Sequence, residues 1–230
     1  MTKKRIGILT AGGDCSGLNA VIRSATFAAR QKGWQIFGLL ENRDLTPDDP
    51  ADEGYIELRR EHFYGPLFRT GGTMLGTARG NRTDDIVSTY KQLDLDCLIV
   101  IGGDGSMASL HTMAQKNDMQ IVGIPKTIDN DVGATEVAIG FDTALSVATT
   151  GLDQLYPTAA SHQRVMVIEV MGRDAGHIAM RAGIAGGADV ILIPEIRYKM
   201  EHVVNKIKAL REAGQMHSLC LLYTSDAADE

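Results

Sequence analysis

Short apolar runs alternate along this chain with stretches of helical periodicity. Ile6 to Leu9, Trp34 to Leu40, Leu98 to Ile101 and Ile121 to Ile124 are continuous and rich in Ile, Val and Leu, the signature of strands buried on both faces. Between them, Leu18 to Arg30, Asp84 to Leu93, Met107 to Gln115 and Asp142 to Leu155 repeat apolar residues at helical spacing, with Ser16 placed to cap the first. Glu41 to Glu61 is polar, holds Pro47 and Pro50, and reads as irregular surface. A second series follows a linker at Pro157 to Ser161: strand Arg164 to Val170, helix Ala175 to Ile184, strand Val190 to Ile193, helix Met200 to Ala213, and a last strand beginning at Ser218.

This alternation predicts an α/β fold of two doubly wound, Rossmann-like parallel-sheet domains with right-handed crossovers. The domains are placed at 1–140 and 141–219. Leu219 to Glu230 breaks the pattern, because it back-translates without conflict into the end of a transposon-type sequencing adapter; residues 220–230 are therefore expected to be a foreign tail, disordered, with the second domain cut short.

Three of the strand runs end in Gly, Asp, Ser and Thr. They are Thr10-Ala11-Gly12-Gly13-Asp14, Gly102-Gly103-Asp104-Gly105-Ser106 and Pro125-Lys126-Thr127-Ile128-Asp129-Asn130-Asp131. A parallel sheet gathers the carboxyl ends of its strands along one edge, which predicts that these loops share one crevice. Glycines admit an anion close to the backbone, a following helix adds its positive end, and carboxylates tolerate phosphate only with Mg²⁺ between them. Phosphoryl transfer is the chemistry that set implies.

Composition narrows this further. Across 230 residues, 44% hydrophobic and 23% charged, the formal charge is −6, which argues against a nucleic-acid surface and confines any phosphate site to a local cluster such as Arg79, Arg82, Lys126, Arg164 and Arg173. Cys15, Cys97 and Cys220 have neither metal-ligand nor disulfide spacing, as in a reducing cytoplasm. No stretch is long and apolar enough to span a bilayer.

The residues resemble the amino-terminal two-thirds of the bacterial 6-phosphofructokinase family. The likeness is carried by Gly7 to Asp14 with Gly17-Leu18-Asn19-Ala20, Gly71 to Arg79, the Gly-Gly-Asp-Gly loop, Thr127 to Asp131, Ser161 to Arg164, Met171-Gly172-Arg173 and Ala185-Gly186-Gly187, in that order. The resemblance implies a glycolytic enzyme of the cytoplasm that transfers the γ-phosphoryl of ATP to the 1-hydroxyl of fructose 6-phosphate. It assigns the general base to Asp129, the Mg²⁺ ligand to Asp104, the ATP phosphates to Gly12, Arg79, Arg82, Gly105 and Ser106, and the sugar phosphate to Thr127, Asp131, Arg164, Met171, Gly172 and Arg173. Arg164 would reach a neighbouring subunit of a dimer or tetramer, and Glu195 would ligate an effector-bound metal. His162 and His177 read as structural, and nothing near Cys15 argues for a nucleophile.

Two positions disagree on the donor. Gly105 resembles ATP-using members, whereas Lys126 resembles those using pyrophosphate; the space at Gly105 favours ATP. The segment Glu41 to Thr46 departs from the family pattern. The family's further sugar-phosphate residues lie in a last third without a counterpart here, so the chain itself is expected to bind fructose 6-phosphate poorly. A pyrophosphate-dependent phosphotransferase and a catalytically silent homologue are the alternatives. A dinucleotide oxidoreductase lacks its Gly-x-Gly-x-x-Gly at the first helix.

Overall fold

The computed structural model describes residues 3–41, 54–78, 80 and 83–224, which divide into two units. The first comprises Met1–Thr127 with Val132–Gly140, the second Ile128–Asp131 with Phe141–Glu230.

In the first unit the elements run β1 (Arg5–Thr10), α1 (Leu18–Gln31), β2 (Gln35–Leu39), β3 (Tyr55–Glu57), α2 (Thr83–Gln92), β4 (Cys97–Gly102), α3 (Asp104–Lys116), β5 (Ile121–Thr127) and β6 (Ile139–Gly140), with two 3₁₀ turns at Arg60–Phe63 and Leu67–Arg69. The sheet order is β3-β2-β1-β4-β5-β6. Every pairing is parallel except that of β3, which lies antiparallel on β2. Register carries the functional consequence: Thr10 lies opposite Ile101, and Gly102 opposite Pro125, so the carboxyl ends of β1, β4 and β5 line one edge of the sheet. Ile8, Leu18, Ile22 and Ile36 are fully buried where α1 lies against β1 and β2. A second core gathers Leu9, Leu98, Val100, Leu110 and Met113, with Ile86, Val87 and Tyr90 of α2 packed on it.

The second unit runs α4 (Phe141–His162), β7 (Val165–Met171), α5 (His177–Ala185), β8 (Val190–Leu192), α6 (Met200–Glu212) and β9 (Ser218–Thr224). Its parallel sheet has the order β7-β9-β8. Leu152 and Ala159 of α4 and Ala179 and Ala182 of α5 bury one face against Leu219 and Leu221. Val167 and Met171 on β7 stay exposed.

Several expectations need correction. The strand pattern missed β3, because three residues on a sheet edge bury too little to leave an apolar run. Ser16 does not cap α1; the cap position is Gly17, left-handed at φ 94°. No linker separates the two series at Pro157, since α4 continues through it to His162. Proline removes one helical hydrogen bond, and the buried neighbours Leu152 and Ala159 hold the helix across the gap. Cys220–Thr224, expected to lie outside the fold, form the central strand, in register from Cys220 opposite Val167 to Thr224 opposite Met171. Leu219 and Leu221 are apolar enough to fill that slot, and a ladder asks only for backbone groups. Ser225–Glu230 lie outside the described residues.

Candidate active site

The β1–α1 loop is tied down by its neighbours. Ala11 N–H donates to Ile101 O at 2.9 Å, hooking the loop to β4, and Gly12 N–H donates to Ala78 O at 3.0 Å. Thr10 Oγ1 donates to Gly76 O at 2.6 Å, and Thr77 Oγ1 donates to Gly12 O at 2.7 Å, so the segment before α2 runs against the loop. Lys126 Nζ donates to Gly13 O from the end of β5. Asn19 fastens the same segment from α1, donating to Thr70 O at 3.2 Å and accepting from Met74 N–H at 2.8 Å. The Gly12 amide is therefore used inside the protein. What Gly12 contributes is the lack of a side chain: at φ +85°, a Cβ there would stand 3.1 Å from Ser106 Oγ and 3.7 Å from Lys126 Nζ. A hydroxyl and an ammonium therefore border the bare backbone at Gly12, both of them groups able to donate to phosphate oxygen.

The Gly-Gly-Asp-Gly segment is a helix start rather than an extended loop. Gly103 caps α3, which begins at Asp104, and Met107 N–H donates to Gly103 O at 2.9 Å. Asp104, Gly105 and Ser106 thus occupy the first turn, where amides without helical partners and the positive end of the dipole favour anions. Asp104 and Gly105 are exposed and Ser106 half-buried. A Cβ at Gly105 would meet nothing within 4 Å. Among the described residues no group of three or more His, Cys, Asp or Glu could enclose a metal. A lone Asp104 in the first turn of α3 fits an ion such as Mg²⁺, which takes one or two carboxylates and completes its shell with phosphate and water.

Cys15 sits under the loop. Its sulfur has two carbonyl acceptors in reach for its single proton, Ser16 O at 3.3 Å and Ile139 O at 3.4 Å, and burial pushes its pKa up to about 11, partly opposed by the charge of Lys126. It is no nucleophile near neutrality. Arg79 and Arg82, and positions 42–46 of the departing segment, lie outside the described residues. Lys126 and Thr127 end β5 rather than opening a loop.

Within the second unit, Asp129 is half-buried with Oδ1 shielded from solvent, Asn130 is buried at φ +56°, and Asp131 is exposed. Arg164 is exposed between α4 and β7, its backbone fixed by Arg164 N–H to Ala159 O at 3.0 Å and Ser218 N–H to Arg164 O at 3.2 Å. After β7 the chain turns sharply. A Cβ at Gly172 would lie 2.5 Å from Ala175 O, and Arg173 holds φ +49° with its exposed guanidinium 3.6 Å from Asp174. Glu195 Oε1 accepts from Gly176 N–H at 2.8 Å, at the cap position of α5. His162 ends α4, exposed, and His177 opens α5, half-buried. Sequence reasoning missed Thr77 and Asn19 as loop fasteners. Both lie inside family-like blocks, but nothing local names a partner more than 50 positions away.

Strand order and register define an α/β protein built on mostly parallel sheets. The phosphofructokinase family profile matches residues 5–230, and the chain belongs to that family. It is 52% identical to ATP-dependent 6-phosphofructokinase 1 of Nostoc sp., covering 97% of this chain and 65% of the relative. It is 45% identical to ATP-dependent 6-phosphofructokinase of Mycobacterium leprae, covering 95% and 64%. The chain thus spans just under two-thirds of these relatives. Among solved structures it matches phosphofructokinase of Pichia pastoris in the T-state with a TM-score of 0.83 and 25% identity, over 99% of this chain and 25% of that one. A pyrophosphate-dependent phosphofructokinase of Marinobacter aquaeolei shares the fold at a TM-score of 0.79 and 23% identity, over 96% and 60%. Among the described residues no helix is long and apolar enough to cross a membrane.

Proposed function

We propose that the whole protein is an ATP-dependent 6-phosphofructokinase, transferring the γ-phosphoryl of ATP to the 1-hydroxyl of fructose 6-phosphate in the cytoplasm. The observation that carries this is the first turn of α3: Gly105 is open where a side chain would stand, and Ser106 Oγ of the same turn lies near the bare backbone of Gly12. ATP needs that room for its inner phosphate. The likeness to relatives named ATP-dependent supports the same donor.

In this reading Gly12, Gly105 and Ser106 receive the donor phosphates, joined by Arg79 and Arg82 as forked donors. Asp104 would hold Mg²⁺, whose chemistry there would be neutralisation of charge on the donor. Asp129 accepts the proton of the attacking hydroxyl, with Thr127 and Asp131 orienting phosphate and sugar. Arg164, Met171, Gly172 and Arg173 bind the sugar phosphate, Arg164 from a neighbouring subunit of a dimer or tetramer. Glu195 is a candidate ligand for an effector-bound metal, with Oε1 already accepting from Gly176.

Lys126 favours a second reading in which pyrophosphate is the donor. The test is product formation from fructose 6-phosphate with ATP or pyrophosphate, using the chain continued by the carboxyl-terminal third of its Nostoc relative. Faster turnover with ATP is expected, abolished by Gly105→Asp and tolerated by Gly105→Ala; faster turnover with pyrophosphate overturns the choice of donor. No turnover with either donor favours a silent homologue.

A further inference from the structure

We propose that Lys126 is a positioning residue for the phosphoryl donor, a built-in cation that holds the β1–α1 loop in its phosphate-receiving shape. This rests on the reading of that loop as the donor site.

Only 5% of Lys126 reaches solvent, unusual for a lysine, and its ammonium is directed at the carbonyl of Gly13. A loop that receives an anion must turn its carbonyl oxygens away from it, since each carries partial negative charge. Gly12 and Gly13 are consecutive, and each carbonyl is held by a separate donor: Gly12 O by the Thr77 hydroxyl at 2.7 Å, Gly13 O by Lys126. A hydroxyl suffices to hold a carbonyl. An ammonium does so with charge assistance, and it stands 3.7 Å from where a Gly12 side chain would begin. Its field is felt by the Cys15 thiol, whose ionisation it favours against the larger effect of burial. Because Lys126 is carried on β5 and Gly13 follows β1, the bond ties the loop to a strand two places away in the sheet. In this role the lysine is neither base nor nucleophile; it fixes the geometry of the loop before the donor arrives.

A lysine that merely filled space would be replaceable by methionine, so the test separates bulk from charge. In the 230-residue chain, Mg·ATP binding is measured by calorimetry for the parent, Lys126→Met and Lys126→Ala. Lys126→Met, compared below the melting midpoint of both proteins, should bind roughly tenfold or more weakly, the loss expected of a charge-assisted hydrogen bond. Methylammonium should restore binding to Lys126→Ala severalfold, and tetramethylammonium at the same concentration should not. Hydrogen exchange of the Gly12 to Cys15 amides, read without ATP, should speed up in Lys126→Met while β4 amides stay protected. Binding by Lys126→Met within twofold of the parent, or no rescue by methylammonium, overturns the proposal. A parent that binds no ATP removes the donor reading instead; the clamp then stands on faster loop exchange in Lys126→Met and falls if exchange is unchanged.

Discussion

Thr77 donates its hydroxyl to the carbonyl of Gly12 across 65 positions of sequence, at 2.7 Å. The bond joins the segment before α2 to the loop after β1, and it leaves the Gly12 oxygen with a partner other than water. Thr77→Val keeps the shape and removes the donor. It should cost about 1–3 kcal/mol, the desolvation penalty of a carbonyl left unpaired, seen as a lower melting midpoint that Thr77→Ser restores. An unchanged midpoint in Thr77→Val would show that water replaces the hydroxyl.

Asp129 is tested by removing proton acceptance alone. Asp129→Asn, in the chain completed with its relative's carboxyl-terminal third, should lower turnover by roughly 10²-fold or more while KM for fructose 6-phosphate changes far less. Turnover within about threefold of the parent removes Asp129 from the role of base.

Two glycines should respond oppositely to the same methyl group. At Gly172 a Cβ would press to 2.5 Å on Ala175 O, inside a turn closed by Ala175 N–H to Gly172 O at 2.8 Å, so Gly172→Ala should destabilise by about 1–3 kcal/mol. Gly151 lies inside α4 with nothing within 4 Å of its Cβ position, and Gly151→Ala should stabilise by about 0.4–1 kcal/mol. Denaturant midpoints shifted in the same direction for both would contradict the geometry.

Cys15 supplies a pH dependence. Burial first, opposed by Lys126, raises its thiol from 9.0 to about 11, so the folded state keeps a proton that the unfolded state has released. The contribution is fully present below about pH 9 and is lost as pH rises toward about 11, because the unfolded chain then binds fewer protons. Cys97 and Cys220 are raised by burial too, so the comparison is with Cys15→Ala. The stability difference between parent and variant should narrow between pH 9 and 11; a constant difference would refute the shift.

The inner strands were legible because β1, β4 and β5 are apolar runs whose burial leaves a mark on each residue. What sequence could not supply was long-range. Ser16 reads as the cap of α1 by residue type, and only the left-handed turn shows that Gly17 takes the position. Pro157 reads as a break because a local rule cannot weigh the burial of Leu152 and Ala159 on either side. In the candidate site, residue types were readable from their blocks, and the glycines marked where backbone must be bare. The fastenings of Thr77, Asn19 and Lys126 were not readable, since a hydroxyl, an amide and an ammonium carry no local sign of which carbonyl they will meet.

The strand order of the second unit bears on its synthesis. β9 lies between β7 and β8, so Val165 and Val190 find their ladder partners only when Ser218 to Cys220 have been made. The first sheet is complete once Gly140 emerges, and at roughly 5–20 residues per second it has several seconds to settle while the rest is translated. Through that interval β7 and β8 have bare hydrogen-bonding edges and no strand between them. The nascent second unit is thus the part of the chain with most need of a chaperone.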